Sequence, residues 1–348
     1  MSKRHTNLNS KQNKGQFFTK NATNLLSGYE SLIKDKKVID PFAGDCDLLD
    51  WAETNGALSV VGYDIEPRRE TIQQRDTLLD VPVFKELFLL TNPPYLCSNK
   101  NKDKRVYEKW FHNDLYKCHM ASFIDQDIEE GIIILPSNFI SEGRAKIRTD
   151  FFRKYTLTRS DYYYYSVFPD ATTGIVVFHF RKADFSKKRC FTMRIHYSEK
   201  DIQEVKVELE EKYDWLWGKD FFDYINFHST MKIEKWTGKE KGYLTNIVIG
   251  LLDKGKWKQG LSYNEGPPVI CGEKAFTTYQ VILDRPITNE KQKEIVVEAN
   301  KLMDYYRTKY HGLFLSNYMG ATQKIWSRKF IHKIIEKLLL DRKELKNE

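Results

Sequence analysis

An apolar run, Leu87-Phe88-Leu89-Leu90, stops at Thr91 and is followed at once by Asn92-Pro93-Pro94-Tyr95. Four consecutive apolar residues bounded by turn formers have the length and composition of a buried strand. The two prolines cannot donate to a β ladder and hold their own φ fixed, so the strand ends there in a stiff corner. Each proline also biases the residue before it toward extended geometry, which pins the direction of the Asn92 side chain. An amide oxygen beside a rigid carbonyl offers acceptors to both hydrogens of a flat amine. The corner therefore reads as a holder for an amino-bearing ring.

The first half of the chain repeats this pattern of strand and turn. Val38-Ile39 enters Asp40-Pro41-Phe42-Ala43-Gly44-Asp45-Cys46-Asp47, ahead of an amphipathic stretch from Leu48 to Glu53. Leu58 to Tyr63 is a second strand ending at Asp64, and Gly131 to Leu135 is an apolar strand ending at Pro136. The periodicity predicts one long helix over 105–123 and another over 144–152, with late strands at 162–165 and 174–180. Short strands alternating with helices predict an α/β fold, a doubly wound and mostly parallel sheet that carries its chemistry at the carboxyl ends of the strands.

A chain of 348 residues has room for two cores. Residues 1–180 carry 24 Lys+Arg and 24 Asp+Glu, whereas residues 181–348 carry 32 and 24, so the whole net charge of +8 lies in the second half. A neutral half followed by a basic half fits a catalytic domain joined to one that grips a polyanion. The boundary is expected near Arg181–Lys188, giving a first domain over 1–183 and a second, α+β in texture, over 184–348. Helices are expected at 289–310 and 325–340. Two basic segments with interleaved rings, Lys254 to Gly260 and Trp326-Ser327-Arg328-Lys329, are candidate nucleic-acid contacts.

Five scattered cysteines, odd in number and without a CxxC pair, argue against a disulfide framework or a structural zinc site, and no metal is expected. No apolar run approaches the roughly 20 residues that cross a bilayer. Met1 to Gly15 is polar and basic without the apolar core of a secretory signal, so a cytoplasmic protein is expected.

Two more segments indicate what accompanies the amine holder. The turn Asp40–Asp47 leads from a strand into a helix and brings backbone donors close to a ligand. Asp64 lies 24 positions after Asp40 at the end of the next strand, where a carboxylate accepts from ribose hydroxyls. Asp76, within Arg75-Asp76-Thr77-Leu78-Leu79, is placed to accept from an adenine amine. Taken singly, each of these carboxylates is as ordinary as a helix cap or a turn residue. Their order along the chain carries the signal.

In that order the segments resemble the S-adenosylmethionine-dependent, adenine-specific (N6) DNA methyltransferases of bacterial restriction-modification systems. The resemblance covers about the first 180 residues. Lys14-Gly15-Gln16-Phe17-Phe18-Thr19 is similar to the family's amino-terminal cofactor motif. Asp40–Asp47 is similar to its methionine-binding loop, Tyr63-Asp64-Ile65-Glu66-Pro67 to its ribose-binding strand end, and Asn92–Tyr95 to its catalytic motif. Phe168-Pro169, before Thr173-Gly174-Ile175-Val176-Val177, resembles the late motif whose ring packs on the extruded base.

The resemblance implies a seven-stranded methyltransferase sheet and S-adenosylmethionine as cofactor. Gln16, Phe18, Thr19, Asp40, Phe42, Gly44, Asp64, Ile65, Asp76 and Asn92 would bind the cofactor. Asn92, Pro93, Pro94, Tyr95 and Phe168 would be catalytic, with Tyr95 and Phe168 stacking on a flipped adenine of double-stranded DNA. Cys46 departs from the pattern, since the family usually has a second glycine there. A position that demands positive φ would make cysteine costly.

Asn92 follows Asp40 by only 52 residues, which leaves no room between them for target recognition. That is the family's gamma order, with recognition in the basic second half and a cognate restriction endonuclease as a separate partner on the same site. Asn-Pro-Pro-Tyr also occurs in methyltransferases of RNA amines and of protein glutamines, and the motif does not separate the three. Behind it, the polar segment Leu96 to Arg105 is expected to be a mobile loop touching phosphates through Lys100, Lys102, Lys104 and Arg105.

Overall fold

The structure, a computed structural model, describes residues 22–141, 145–168, 174–252, 259–270, 277–317 and 324–340. Contacts divide the chain into two compact units, one up to Trp215 and the other from Leu216 on.

The first unit is built on nine strands: β1 (Lys37–Asp40), β2 (Ser59–Asp64), β3 (Gln73–Gln74), β4 (Phe88–Thr91), β5 (Glu130–Pro136), β6 (Tyr155–Tyr163), β7 (Ile175–Lys182), β8 (Lys188–His196) and β9 (Ile202–Glu210). They lie in the order β3-β2-β1-β4-β5-β7-β6-β8-β9. The pairs β2–β3, β1–β2, β1–β4, β4–β5 and β6–β8 are parallel. Only β7 and β9 run against the rest. Central strands of such a sheet are covered on both faces, which is why β4 and residues 131–136 of β5 are buried without alternation.

On one face Ile132 and Ile134 of β5 join Leu48, Leu49 and Trp51 of the helix Asp47–Thr54, together with Leu26, Tyr29 and Ile33 of the amino-terminal helical segment. On the other face Phe178 and Phe180 of β7 meet Phe123, Phe139 and Phe151 from the helical layer in edge-on and stacked ring contacts 5.3–5.8 Å apart.

Three expectations are corrected. The sheet has nine strands rather than seven, because β8 and β9 extend it beyond β6. Phe191, Met193 and Ile195 of β8 and Val207 and Leu209 of β9 point into the core at period two, so the hairpin has an apolar face that the sheet covers. For the same reason the first unit ends at Trp215, where the indole stacks on Phe152 at 5.5 Å, and not at residue 183. The helix expected over 105–123 is two helices, Arg105–Trp110 and Leu115–Asp125. Phe111 adopts a left-handed conformation, φ 56°, and ends the first. Asp114 caps the second, its carboxylate accepting from the Tyr116 amide.

The second unit holds β10 (Ile233–Lys235), β11 (Tyr243–Gly250), β12 (Gly260–Tyr263) and β13 (Thr278–Leu283) as an antiparallel sheet in the order β10-β13-β11-β12. Helices Asn289–Lys309 and Arg328–Leu340 contribute Ile295, Met303, Ile331 and Ile335 to its core. Trp326, expected to interleave with cations at the surface, is instead fully buried beside Phe221 and Phe314, because an indole gains more from that aromatic core than from solvent. Most of the basic segment from Lys254 to Gly260 lies outside the described residues. No helix among the described residues is long and apolar enough to cross a membrane.

Candidate active site

Parallel pairing of β1 with β2 and β4 brings three strand ends side by side, and with them Asp40, Asp64 and Asn92. These ends open onto a cavity of about 310 Å³. That lies near the lower end of the range of roughly 300–1,000 Å³ for small-molecule sites.

Asp40 sits at the end of β1 and is buried. Its Oδ1 accepts from the Phe42 amide at 3.0 Å and from the Thr91 hydroxyl at 2.8 Å, which joins the turn after β1 to the end of β4. Its Oδ2 has no hydrogen-bond partner among the described residues. Burial pushes this carboxyl up to about 7 against the pull of those two hydrogen bonds. A buried carboxylate oxygen left without a partner is costly, which is why its pKa rises.

The turn that follows bends tightly. Gly44 has φ 53° and Cys46 has φ 72°, so the position where glycine was expected does require a left-handed backbone. The Gly44 amide donates to Asp64 Oδ2 at 2.9 Å and the Glu66 amide to Oδ1 at 2.8 Å. Asp64 thus holds the turn against the end of β2. Asp76 Oδ1 accepts from the amides of Leu78 and Leu79, at 3.1 and 3.2 Å. Thr77 donates to the Pro41 carbonyl, fastening this segment under the first turn.

Asn92 is 8% exposed and lines the cavity together with Pro94; Pro93 is buried in the corner and does not reach the lining. Of the residues singled out from sequence, Asp40, Phe42, Gly44, Asp64, Ile65, Asp76, Asn92 and Pro94 come together around this one space.

Tyr95 and Phe168 stand elsewhere. Tyr95 packs against the apolar core, its hydroxyl 2.6 Å from Asn92 Oδ1 and 3.0 Å from the Ile134 carbonyl, with its ring edge-on to Tyr116. Phe168 is only 4% exposed within the same core. Neither ring lines the cavity, since each gains more by joining the apolar layer next to β5 and β7. Gln16, Phe18 and Thr19 lie outside the described residues, as do Pro169 and Thr173.

Several further residues line the space. Glu66 and Arg75, neighbours of the expected carboxylates within their motifs, reach it from the β2 side. Leu78, Leu96, Val106 and Leu115 form an apolar wall that a flat ring can rest on. Asn101 and Asp103 come from the segment expected to be a mobile loop. That segment forms a 3₁₀ turn, Ser98–Lys100, and is tied down internally. Lys104 donates to the carbonyls of Ser98 and Asn101, and Arg105 grips Asp103 with two nitrogens at 2.7 and 3.1 Å. Two of the four cations expected on phosphates are therefore spent on the loop itself, while Lys100 and Lys102 are exposed.

The arrangement offers a buried carboxylate suited to an ammonium, carboxylates at two further corners suited to hydroxyls and an amine, an apolar wall suited to a ring, and the Asn92 amide at the edge.

No family model matches the chain, and no curated protein does. Among solved structures, a modification subunit of a putative type I restriction enzyme from Vibrio vulnificus YJ016 is similar over 58% of this chain and 58% of its own, at 11% identity and TM-score 0.43. A putative class I S-adenosylmethionine-dependent methyltransferase from Listeria monocytogenes is similar over 53% of this chain and 67% of its own, at 13% identity and TM-score 0.43. The M protein of the type I restriction enzyme EcoKI is similar over 51% of this chain and 48% of its own, at 17% identity and TM-score 0.38. The chain thus spans about half the length of the restriction-enzyme subunits it resembles, 58% and 48%.

Proposed function

We propose that the chain transfers a methyl group from S-adenosylmethionine to the exocyclic amine of adenine in double-stranded DNA. One observation carries the reading: Asn92 and the buried Asp40, whose Oδ2 has no partner among the described residues, line the same ligand-sized cavity. A cofactor with a cationic amino-acid end fits Asp40. Its nucleoside end fits the ribose and ring partners Asp64, Asp76, Ile65 and Leu78. When bound, that cofactor supplies an electrophilic methyl on a sulfonium.

The chain supplies geometry rather than a base. An arylamine lone pair is delocalised into its ring and attacks poorly. The Asn92 side-chain oxygen accepts from the amine and turns its lone pair out of the ring plane, toward the methyl carbon. With the cofactor held by Asp40, Asp64 and Asp76, its sulfonium would give up the methyl to the amine nitrogen oriented by Asn92, and the amine proton would pass to solvent. A duplex buries that amine, so the base is flipped out to reach Asn92. The basic second unit is the natural place for target recognition, and a restriction endonuclease acting on the same sequence is a natural partner.

The test is expression in a host without DNA methylation, followed by sequencing that detects modified adenines. A recurring modified motif with wild-type protein, lost with Asn92→Ala at unchanged cofactor affinity, supports the reading. Transfer of labelled methyl to RNA or protein but not to DNA moves the same chemistry to another substrate. Substantial turnover by Asn92→Ala removes the residue from the mechanism.

A further inference from the structure

Phe111 is 88% exposed, the most exposed of the large apolar side chains among the described residues. Its φ of 56° places it in the left-handed region at the end of the helix Arg105–Trp110, where glycine or asparagine is the ordinary choice. Two unfavourable features thus coincide in one residue: an aromatic ring left in water and a backbone conformation that a side chain resists. Such an outlier is grounds for asking what the position does.

Its surroundings answer in part. The segment holding Phe111 runs beside the chain leaving the Asn92 corner. Ser98 donates to the Asn113 carbonyl at 2.9 Å and Leu115 to the Leu96 carbonyl at 3.2 Å. Leu96 and Leu115 line the cavity, and Tyr116 touches Tyr95. Trp110, the neighbour of Phe111, is anchored by its indole N–H to the Leu78 carbonyl at 2.8 Å, so the turn has a firm base. The adjoining loop that starts at Ser98 carries the exposed cations Lys100 and Lys102. An exposed ring on an anchored turn, beside the exposed ammonium groups of Lys100 and Lys102 at the rim of the cavity, matches a base stack flanked by phosphates.

We propose that Phe111 is a wedge that enters the base stack of the duplex and fills the space left by the base delivered to Asn92. The inference rests on the reading of the chain as a DNA methyltransferase and adds to it the group that stabilises the opened duplex. No covalent step is involved.

The test uses the full chain and a short duplex bearing the sequence that the wild-type protein methylates in unmethylated plasmid DNA. In a second duplex 2-aminopurine replaces the target adenine and reports its unstacking by fluorescence. Phe111→Ala and Phe111→Leu remove the ring from an exposed position, and calorimetry is expected to show unchanged cofactor binding. Losing the wedge is expected to lower kcat/KM on the paired duplex about tenfold or more and to suppress the fluorescence rise. With an abasic site opposite the target, where less stacking opposes the flip, the variants should return to within about threefold of wild type.

Wild-type rates for both variants on the paired duplex would overturn the wedge and leave methyl transfer standing. A loss that persists against the abasic duplex would also overturn it, by pointing to a structural effect. If the wild-type chain methylates no DNA, the underlying reading falls and the wedge with it.

Discussion

The Tyr95 hydroxyl stands 2.6 Å from the Asn92 side-chain oxygen and 3.0 Å from the Ile134 carbonyl. A phenol has one proton for these two acceptors, and burial raises its pKa, so the proton stays on. Whenever it is given to Asn92, it occupies an acceptor that a target amine needs. A net hydrogen bond of this kind contributes about 0.5–1.5 kcal/mol. Tyr95→Phe keeps the ring and removes the competitor, so kcat/KM for the methyl acceptor should rise about two- to tenfold at constant cofactor affinity. Steady-state kinetics decide it: a fall of more than about tenfold would mean that the hydroxyl positions Asn92 rather than competing for it.

Asp40 makes cofactor binding depend on pH with a definite sign. Burial raises the folded carboxyl to about 7, above the unfolded value near 4, so between these values the folded chain binds more protons than the unfolded one. The carboxyl therefore favours folding most fully below about pH 4, and that contribution is lost as pH rises through about 7. A cationic ligand reverses the sense, since it needs the ionised form. Affinity for S-adenosylmethionine should climb roughly tenfold per pH unit below about 7 and level off above it. Calorimetry across that range should show the slope in wild type and a flat, weaker profile for Asp40→Asn. A flat wild-type profile would place the ammonium elsewhere.

Cys46 holds the left-handed position of the cofactor turn with its side chain buried in the apolar core. That conformation costs an L-residue about 1–2 kcal/mol, which the packed thiol offsets in part. Cys46→Gly removes both strain and packing and loosens the unfolded chain less favourably, so stability should change by under about 1 kcal/mol. Cys46→Val puts a branched side chain where φ is positive and should cost about 2 kcal/mol or more while weakening cofactor binding. Urea unfolding of the two variants checks the order, and equal stabilities would refute it.

How much of this was legible follows from what each residue type reports locally. Asp40, Asp64 and Asn92 were readable because apolar runs stop abruptly beside them, and parallel pairing then has only one way to bring the ends together. The wall of Leu78, Leu96, Val106 and Leu115 was not, because an apolar residue in a loop or helix looks the same whether it faces a core or a ligand. Tyr95 and Phe168 show the converse: a motif fixes a ring's place in the chain, but its direction is decided by competition with the core. The β8–β9 hairpin was hidden by its charged outer face, although Phe191, Met193 and Ile195 alternate as a half-buried strand should. Phe111 was taken for helix interior because backbone handedness leaves no trace in hydrophobic periodicity.

Asp161 ties the amino-terminal helical segment to the sheet. It is fully buried on β6, with Arg194 and His196 of β8 each within 2.6 Å and Arg159 at 3.6 Å. The Tyr29 hydroxyl donates to it at 2.7 Å, which fixes the amino-terminal helical segment onto the sheet. Arg159 and Arg194 also donate to the Ser27 carbonyl, so one carboxylate orients both cations that hold this segment. Removing it strands two half-buried guanidinium groups and a buried phenol, a change expected to cost about 3 kcal/mol. For a unit of this size, Asp161→Ala should lower Tm by about 10 °C, whereas Arg159→Ala, which removes a longer and partly exposed contact, should lower it by less than about 4 °C. Calorimetric melting of both variants provides the check. Equal shifts would mean that the carboxylate is not the centre of the cluster and that the amino-terminal segment is held by its apolar core and by the Tyr163 hydroxyl on the Leu25 carbonyl.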